Sequence, residues 1–106
     1  MSVSTTLEVL ADPTRRQIVA FLAEGESPVR DIVEQFNVSA PAISQHLKVL
    51  REAGLVFVRP QAQQRIYSVN RAALAEAAAW LMRMGGFWSD QLDALERALR
   101  KGELGG

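Results

Sequence analysis

The spacing of apolar residues changes at Gly54 and again at Asn70, and this limits the possible folds more than any other feature of the chain. Before Gly54 the apolar residues recur every three or four positions, as in amphipathic helices. From Leu55 to Val69, two runs rich in Val, Phe, Ile and Tyr read as strands. Beyond Asn70 the helical spacing returns. A chain of 106 residues with this pattern is expected to be one mainly α domain spanning 1–106, with a small β-hairpin.

The helices have recognisable ends. Leu7 and Leu10 mark a short first helix. Asp12-Pro13 starts a second with an acceptor side chain and a proline in the first turn; its stripe is Ile18, Phe21 and Leu22, and it stops at Gly25. Ser27-Pro28 is expected to start a third, with Val29, Ile32, Val33 and Phe36 inward. After a turn at Asn37–Ala40, Ser39 caps a fourth that carries Ile43, Leu47 and Leu50 and ends at Gly54. The strands Leu55–Arg59 and Arg65–Val69 flank a polar tip, Pro60–Gln64. Asn70 caps a helix over Arg71–Met84, which Gly85-Gly86 is expected to break. A last amphipathic helix follows with Trp88, Leu92, Leu95 and Leu99, then a frayed tail over Gly102–Gly106. The predicted order is ααααββαα.

Net charge is zero, but it is unevenly spread. Residues 1–38 hold three bases against six acids, and residues 72–106 four against five. Residues 39–71 hold Lys48, Arg51, Arg59, Arg65 and Arg71 against Glu52 alone. A local basic patch is the footprint of phosphate binding even where the total cancels. Met1–Leu10 has no basic start or long apolar core. The longest apolar run, Ala72–Leu81, is interrupted by Glu76 and falls short of the roughly 20 residues a membrane span needs. A soluble, cytoplasmic chain without a membrane partner is expected.

The third and fourth helices with the turn between them have helix-turn-helix proportions. At about 100° per residue, Ile43, Leu47 and Leu50 gather on one side of the fourth helix. Pro41, Ser44, Gln45 and Lys48 lie on the other. An apolar back and a hydrogen-bonding front are what a major-groove reader requires. The Gln45 amide can make a two-point contact with adenine, Lys48 can reach guanine or phosphate, and Pro41 and Ala42 can touch thymine methyls.

Two blocks carry a family resemblance. Leu10-Ala11-Asp12-Pro13-Thr14-Arg15-Arg16-Gln17-Ile18 resembles the opening of the ArsR/SmtB family of bacterial winged-helix repressors. Ser39-Ala40-Pro41-Ala42-Ile43-Ser44-Gln45-His46-Leu47-Lys48, continuing to Val56, resembles its recognition helix and first wing strand. The likeness spans Leu7 to Leu81. The closing segment from Phe87-Trp88 to Leu99 is similar to a metal-independent branch. The resemblance implies a homodimeric winged helix-turn-helix that represses transcription by occupying double-stranded operator DNA. It places Ser39, Ala40, Pro41, Ala42, Ser44, Gln45, His46 and Lys48 of the recognition helix, with Arg59, Gln63, Gln64 and Arg65 of the wing, at the DNA. His46 has two readings, a phosphate contact or a packed histidine. Arg59 and Arg65 likewise read as backbone and minor-groove contacts or as solubilising charge on the hairpin.

The chain departs from the family's metal sensors. Pro28 and Arg30 stand where those members carry Cys-x-Cys, and the helix after the wing has neither Asp nor His. A transition-metal site wants three or four ligands; this chain offers one His and no Cys. No cofactor and no metal are expected. At the wing tip, Gln61-Ala62 replaces the family's frequent Glu-Gly. No nucleophile with an orienting base is apparent, so no enzyme is expected. From Ala72 to Met84 only Glu76 and Arg83 are polar, and a helix apolar all round must be covered all round. A second copy of the chain is the expected cover, with Leu7, Leu10, Leu74, Ala77, Trp80, Leu81, Met84 and Trp88 at the interface. The function read here is an autoregulatory, metal-unresponsive repressor. The alternative is a winged-helix protein-interaction module that does not bind DNA.

Overall fold

The computed structural model describes the backbone of residues 2–105, and the side chains of these except 86–89, 91–92 and 101–105. The elements are α1 (Val3–Val9), α2 (Pro13–Glu24), β1 (Ser27–Pro28), α3 (Val29–Gln35), α4 (Ala40–Glu52), β2 (Val56–Gln61), β3 (Gln64–Val69) and α5 (Arg71–Gly105). The three strands form an antiparallel sheet of order β1-β3-β2.

The helix starts follow their sequence signals. The Asp12 side chain accepts from the Arg15 N–H at 3.1 Å, and Ser39 Oγ accepts from the Ala42 N–H at 3.3 Å. Each occupies the N-cap and satisfies a backbone donor that has no partner within its helix. The end of α4 is a Schellman turn. Gly54 donates to the Arg51 carbonyl and Leu55 to the Leu50 carbonyl, each at 2.9 Å, with Gly54 at φ 75°. That left-handed conformation favours glycine. Leu50 and Leu55, both fully buried, meet across the turn and aim the chain into the hairpin.

The core is where the amphipathic stripes converge. Ile18 and Leu22 of α2, Ile32 of α3, and Ile43, Leu47 and Leu50 of α4 are buried together with Leu55, Val56, Tyr67 and Val69. Phe21 and Phe36 add an edge-to-face pair, with centroids 6.0 Å apart. Deleting any of these large side chains would cost about 2–5 kcal/mol.

Four sequence expectations are corrected. Ser27-Pro28 does not start a helix; it forms β1, pairing Ser27 with Tyr67 and Pro28 with Ile66, and α3 begins at Val29. The five-residue hairpin tip shrinks to Ala62-Gln63, because pairing continues to Gln61 and Gln64; Ala62 takes up the reversal at φ 55°. Gly85-Gly86 does not break the last helix, so the two final helices are one, of 35 residues. A helical glycine costs about 1 kcal/mol relative to alanine. The alanines, leucines and methionines on the N-terminal side, and the Leu, Glu and Arg beyond, offset that cost. Lastly, the tail is helical to Gly105.

Candidate nucleic-acid interface

The outward face of α4 and the hairpin form the candidate site. Ile43, Leu47 and Leu50 bind α4 to the core through side chains that are essentially inaccessible. Ser39, Ala40, Pro41, Ser44, Gln45, Lys48 and Arg51 are exposed, and Ala42 and His46 are half-buried. Of the wing residues, Arg59, Gln63, Gln64 and Arg65 are all exposed.

Between α4 and the hairpin runs a cleft of about 590 Å³. It is lined from α3 by Val29 and Arg30, from α4 by Ser44, Lys48 and Arg51, and from the hairpin by Gln63, Gln64 and Arg65, with Tyr67 also in its wall. No Asp or Glu lines it. Strand β1 accounts for the arrangement: its pairing with β3 ties the start of α3 to the wing. Arg30 is not among the residues the sequence singles out, and Arg51 enters there only as one charge of the basic segment 39–71. Arg30 lies in the acidic first third of the chain and reaches the basic cleft only through the fold. The 44-48-51 spacing on α4 was a usable signal for Arg51.

Arg59 and Arg65 part company. Arg59 pairs in register with Ile66, whereas Arg65 pairs with Pro60 one position along, so the two point to opposite faces of the hairpin. Arg59 is bound to Glu26 at 2.5 Å and to Gln61 Oε1 at 2.6 Å. His46 turns inward, and its Nδ1 is buried without a hydrogen-bond partner among the described residues. His46 lies within electrostatic reach of the Asp12 carboxyl. That carboxyl is held below the ordinary Asp value, first by the hydrogen bond from the Arg15 N–H, then, against an opposing desolvation, by His46 and Arg15.

The arginines of the first sequence block are structural. Arg15 Nε donates to the Val9 carbonyl at 2.7 Å, and an Arg16 guanidinium nitrogen donates to those of Leu10 and Ala11 at 2.9 Å. They close the C-terminal end of α1 and seat it on α2. Helix α1 in turn packs against α5. Of the residues expected at a dimer interface, Ala77 is buried within the chain, and Leu7, Leu10, Leu74, Trp80 and Met84 are half-buried. Leu81 is 48% exposed, and Met82, which the sequence reading passed over, is 77% exposed. The Trp88 side chain lies outside the described residues.

Comparison with known proteins places these features in a family. The family model described as bacterial regulatory protein, arsR family, matches residues 12–57. The HTH-type transcriptional regulator Rv2034 of Mycobacterium tuberculosis is 44% identical over 80% of this chain and 77% of its own length. The transcriptional repressor SdpR of Bacillus subtilis is 34% identical over 74% of this chain and 88% of its own. Among solved structures, a possible transcriptional regulator for arsenical resistance is 45% identical, covering 84% of this chain and 90% of that one with a TM-score of 0.70. The transcriptional repressor BigR of Xylella fastidiosa is 34% identical, covering 76% and 84% with a TM-score of 0.62.

Proposed function

Because the chain belongs to the arsR family of bacterial regulatory proteins, we propose that it is a sequence-specific DNA-binding transcriptional repressor, working as a homodimer at its operator without a metal signal. The observation that carries this reading is the two-sidedness of α4. Three core side chains hold its back rigidly, while Pro41, Ser44, Gln45 and Lys48 face solvent beside a basic cleft. A helix held in this way presents its front to a major groove with little ordering left to do on binding.

Metal independence rests on donor chemistry. Arsenite is held by thiolates, and the chain has none. Some relatives are named as arsenical resistance operon repressors, but a name they carry supplies no thiolate to this chain. The single histidine has one ring nitrogen buried. Saturating zinc, nickel or arsenite is expected to leave DNA affinity unchanged. A tenfold loss, about 1.4 kcal/mol of coupling, restored by a chelator would refute the metal-blind reading.

The direct test is selection of duplexes from a random pool by the wild-type protein. Recovery of a two-fold repeated site, with half-sites about 34–36 Å apart, is expected. Gln45→Ala should then lose about 1–3 kcal/mol of discrimination at one position of each half-site. A pool that enriches no sequence, or a folded Gln45→Ala protein with unaltered preference, would remove α4 from the role of reader.

A further inference from the structure

The cleft holds more positive charge than base reading needs. Arg30, Lys48, Arg51 and Arg65 come from α3, α4 and β3 and line one groove without an acid. Among the described residues none of the four is ion-paired, whereas Arg59, on the other face of the hairpin, is neutralised by Glu26. Ser44, Lys48 and Arg51 form one stripe along α4, four and three residues apart, and this stripe faces the cleft. Gln45 lies about 100° further round and does not line it.

Duplex geometry supplies the occupant. The major and minor grooves of DNA are separated by a single sugar-phosphate strand. If the front of α4 lies in a major groove and the Ala62-Gln63 tip reaches the neighbouring minor groove, that strand must run through the cleft between them. We infer that the cleft is a channel for one phosphodiester strand, and that Arg30 and Arg51 act with Lys48 and Arg65 as its phosphate ligands. This rests on the DNA-binding reading above and adds a division of labour. The Gln45 side of α4 reads bases, and the Ser44-Lys48-Arg51 side grips backbone. Phosphate contacts fix register and orientation but carry no sequence information. Each one made by Lys or Arg releases condensed counterions, so the channel has a thermodynamic signature distinct from that of base contacts.

The test is fluorescence anisotropy with a labelled duplex of arbitrary sequence, titrated across salt from about 50 to 200 mM. Arg30→Ala and Arg51→Ala should each flatten the slope of log affinity against log salt by about 0.9, so that each lost contact changes the affinity ratio across that range about three- to fourfold. The double variant should lose about twice as much, and Arg51→Lys should keep the wild-type slope. Arg59→Ala should also keep it, because Arg59 lies on the other face. Both arginines are exposed, so the variants should melt as the wild type does. Wild-type slopes in both alanine variants, beside normal wild-type binding, overturn the channel and leave the repressor reading standing. An equal loss in Arg59→Ala also overturns it, by showing that only diffuse charge matters. A wild-type protein that binds neither this duplex nor any duplex of the random pool overturns both.

Discussion

Asn70 ties three parts of the chain together with one side chain and one amide. Its Nδ2 donates to the Gly54 carbonyl at 2.8 Å, its Oδ1 accepts from the Ala73 N–H at 3.2 Å, and its own N–H donates to the Leu55 carbonyl at 2.8 Å. It therefore caps α5 while clamping the base of the hairpin to the end of α4. Asn70→Ala removes a cap and leaves a part-buried carbonyl unpaired, and should destabilise by about 1–3 kcal/mol in urea denaturation. A loss within error of zero would show that water replaces both bonds. Asp12 gives a pH-dependent counterpart. Its folded pKa lies below the ordinary value, so its contribution is complete above about pH 4 and falls away as pH drops through the lowered folded value. The stability difference between wild type and Asp12→Asn, measured by thermal melts, should therefore narrow on going from pH 5 towards pH 2.5. A difference constant across that window would mean the carboxylate charge plays no part.

Among the elements, α5 departs most from its expected form. Its 35 residues extend about 52 Å as one helix through Gly85-Gly86. A Cβ built on Gly85 meets nothing within 4 Å. Alanine there removes the glycine's backbone-entropy cost without a clash inside the chain. Gly85→Ala should stabilise by about 0.5–1 kcal/mol, seen as a rise of several degrees in the thermal midpoint. A fall would locate a close-packed partner against that position. Strand β1 has the opposite character, since two residues suffice to tether α3 to the wing. Isolated two-residue pairing has negligible stability, so the tether holds because Ser27 is buried and Tyr67, its partner, belongs to the core.

As a whole the molecule is too extended for its length. The radius of gyration is 19.2 Å and the dimensions are 70 × 28 × 21 Å, where a compact chain of this size would have a radius near 13 Å. The excess is α5, which carries Leu81, Met82, Leu95 and Leu99 largely exposed. Apolar surface displayed on one long helix is the pattern of an interface, and the proposed homodimer would cover it. Replacing Leu81 and Met82 together with Glu puts charge into that surface and should weaken the dimer at least tenfold, about 1.4 kcal/mol. Sedimentation velocity at micromolar concentration reads this directly as a shift towards the 11.7 kDa monomer. A wild type that sediments as a monomer, or a double variant that stays dimeric, would move the interface elsewhere.

Local chemistry was enough to read much of this protein. Apart from the bonds Asn70 makes back to Gly54 and Leu55, the caps Asp12, Ser39 and Asn70, the turn glycine at 54 and the stripe Ile43-Leu47-Leu50 act within a few residues of themselves. A sequence displays such interactions in full, so α2, α4, the hairpin and the two-sided α4 could be derived from it. Features set by residues distant in sequence could not. β1 exists because β3, almost forty positions later, offers it an edge. Arg30 lies among acids along the chain and among bases in space. Arg59 and Arg65 look equivalent flanking the wing tip, and only strand register, with Glu26 brought across, sends them to opposite faces. The continuity of α5 through two glycines is set neither by one local signal nor by a distant partner, but by a sum over the helix itself. Each glycine weakens a helix by an amount smaller than what its neighbours along the helix return, so the outcome belongs to the whole element and not to the pair.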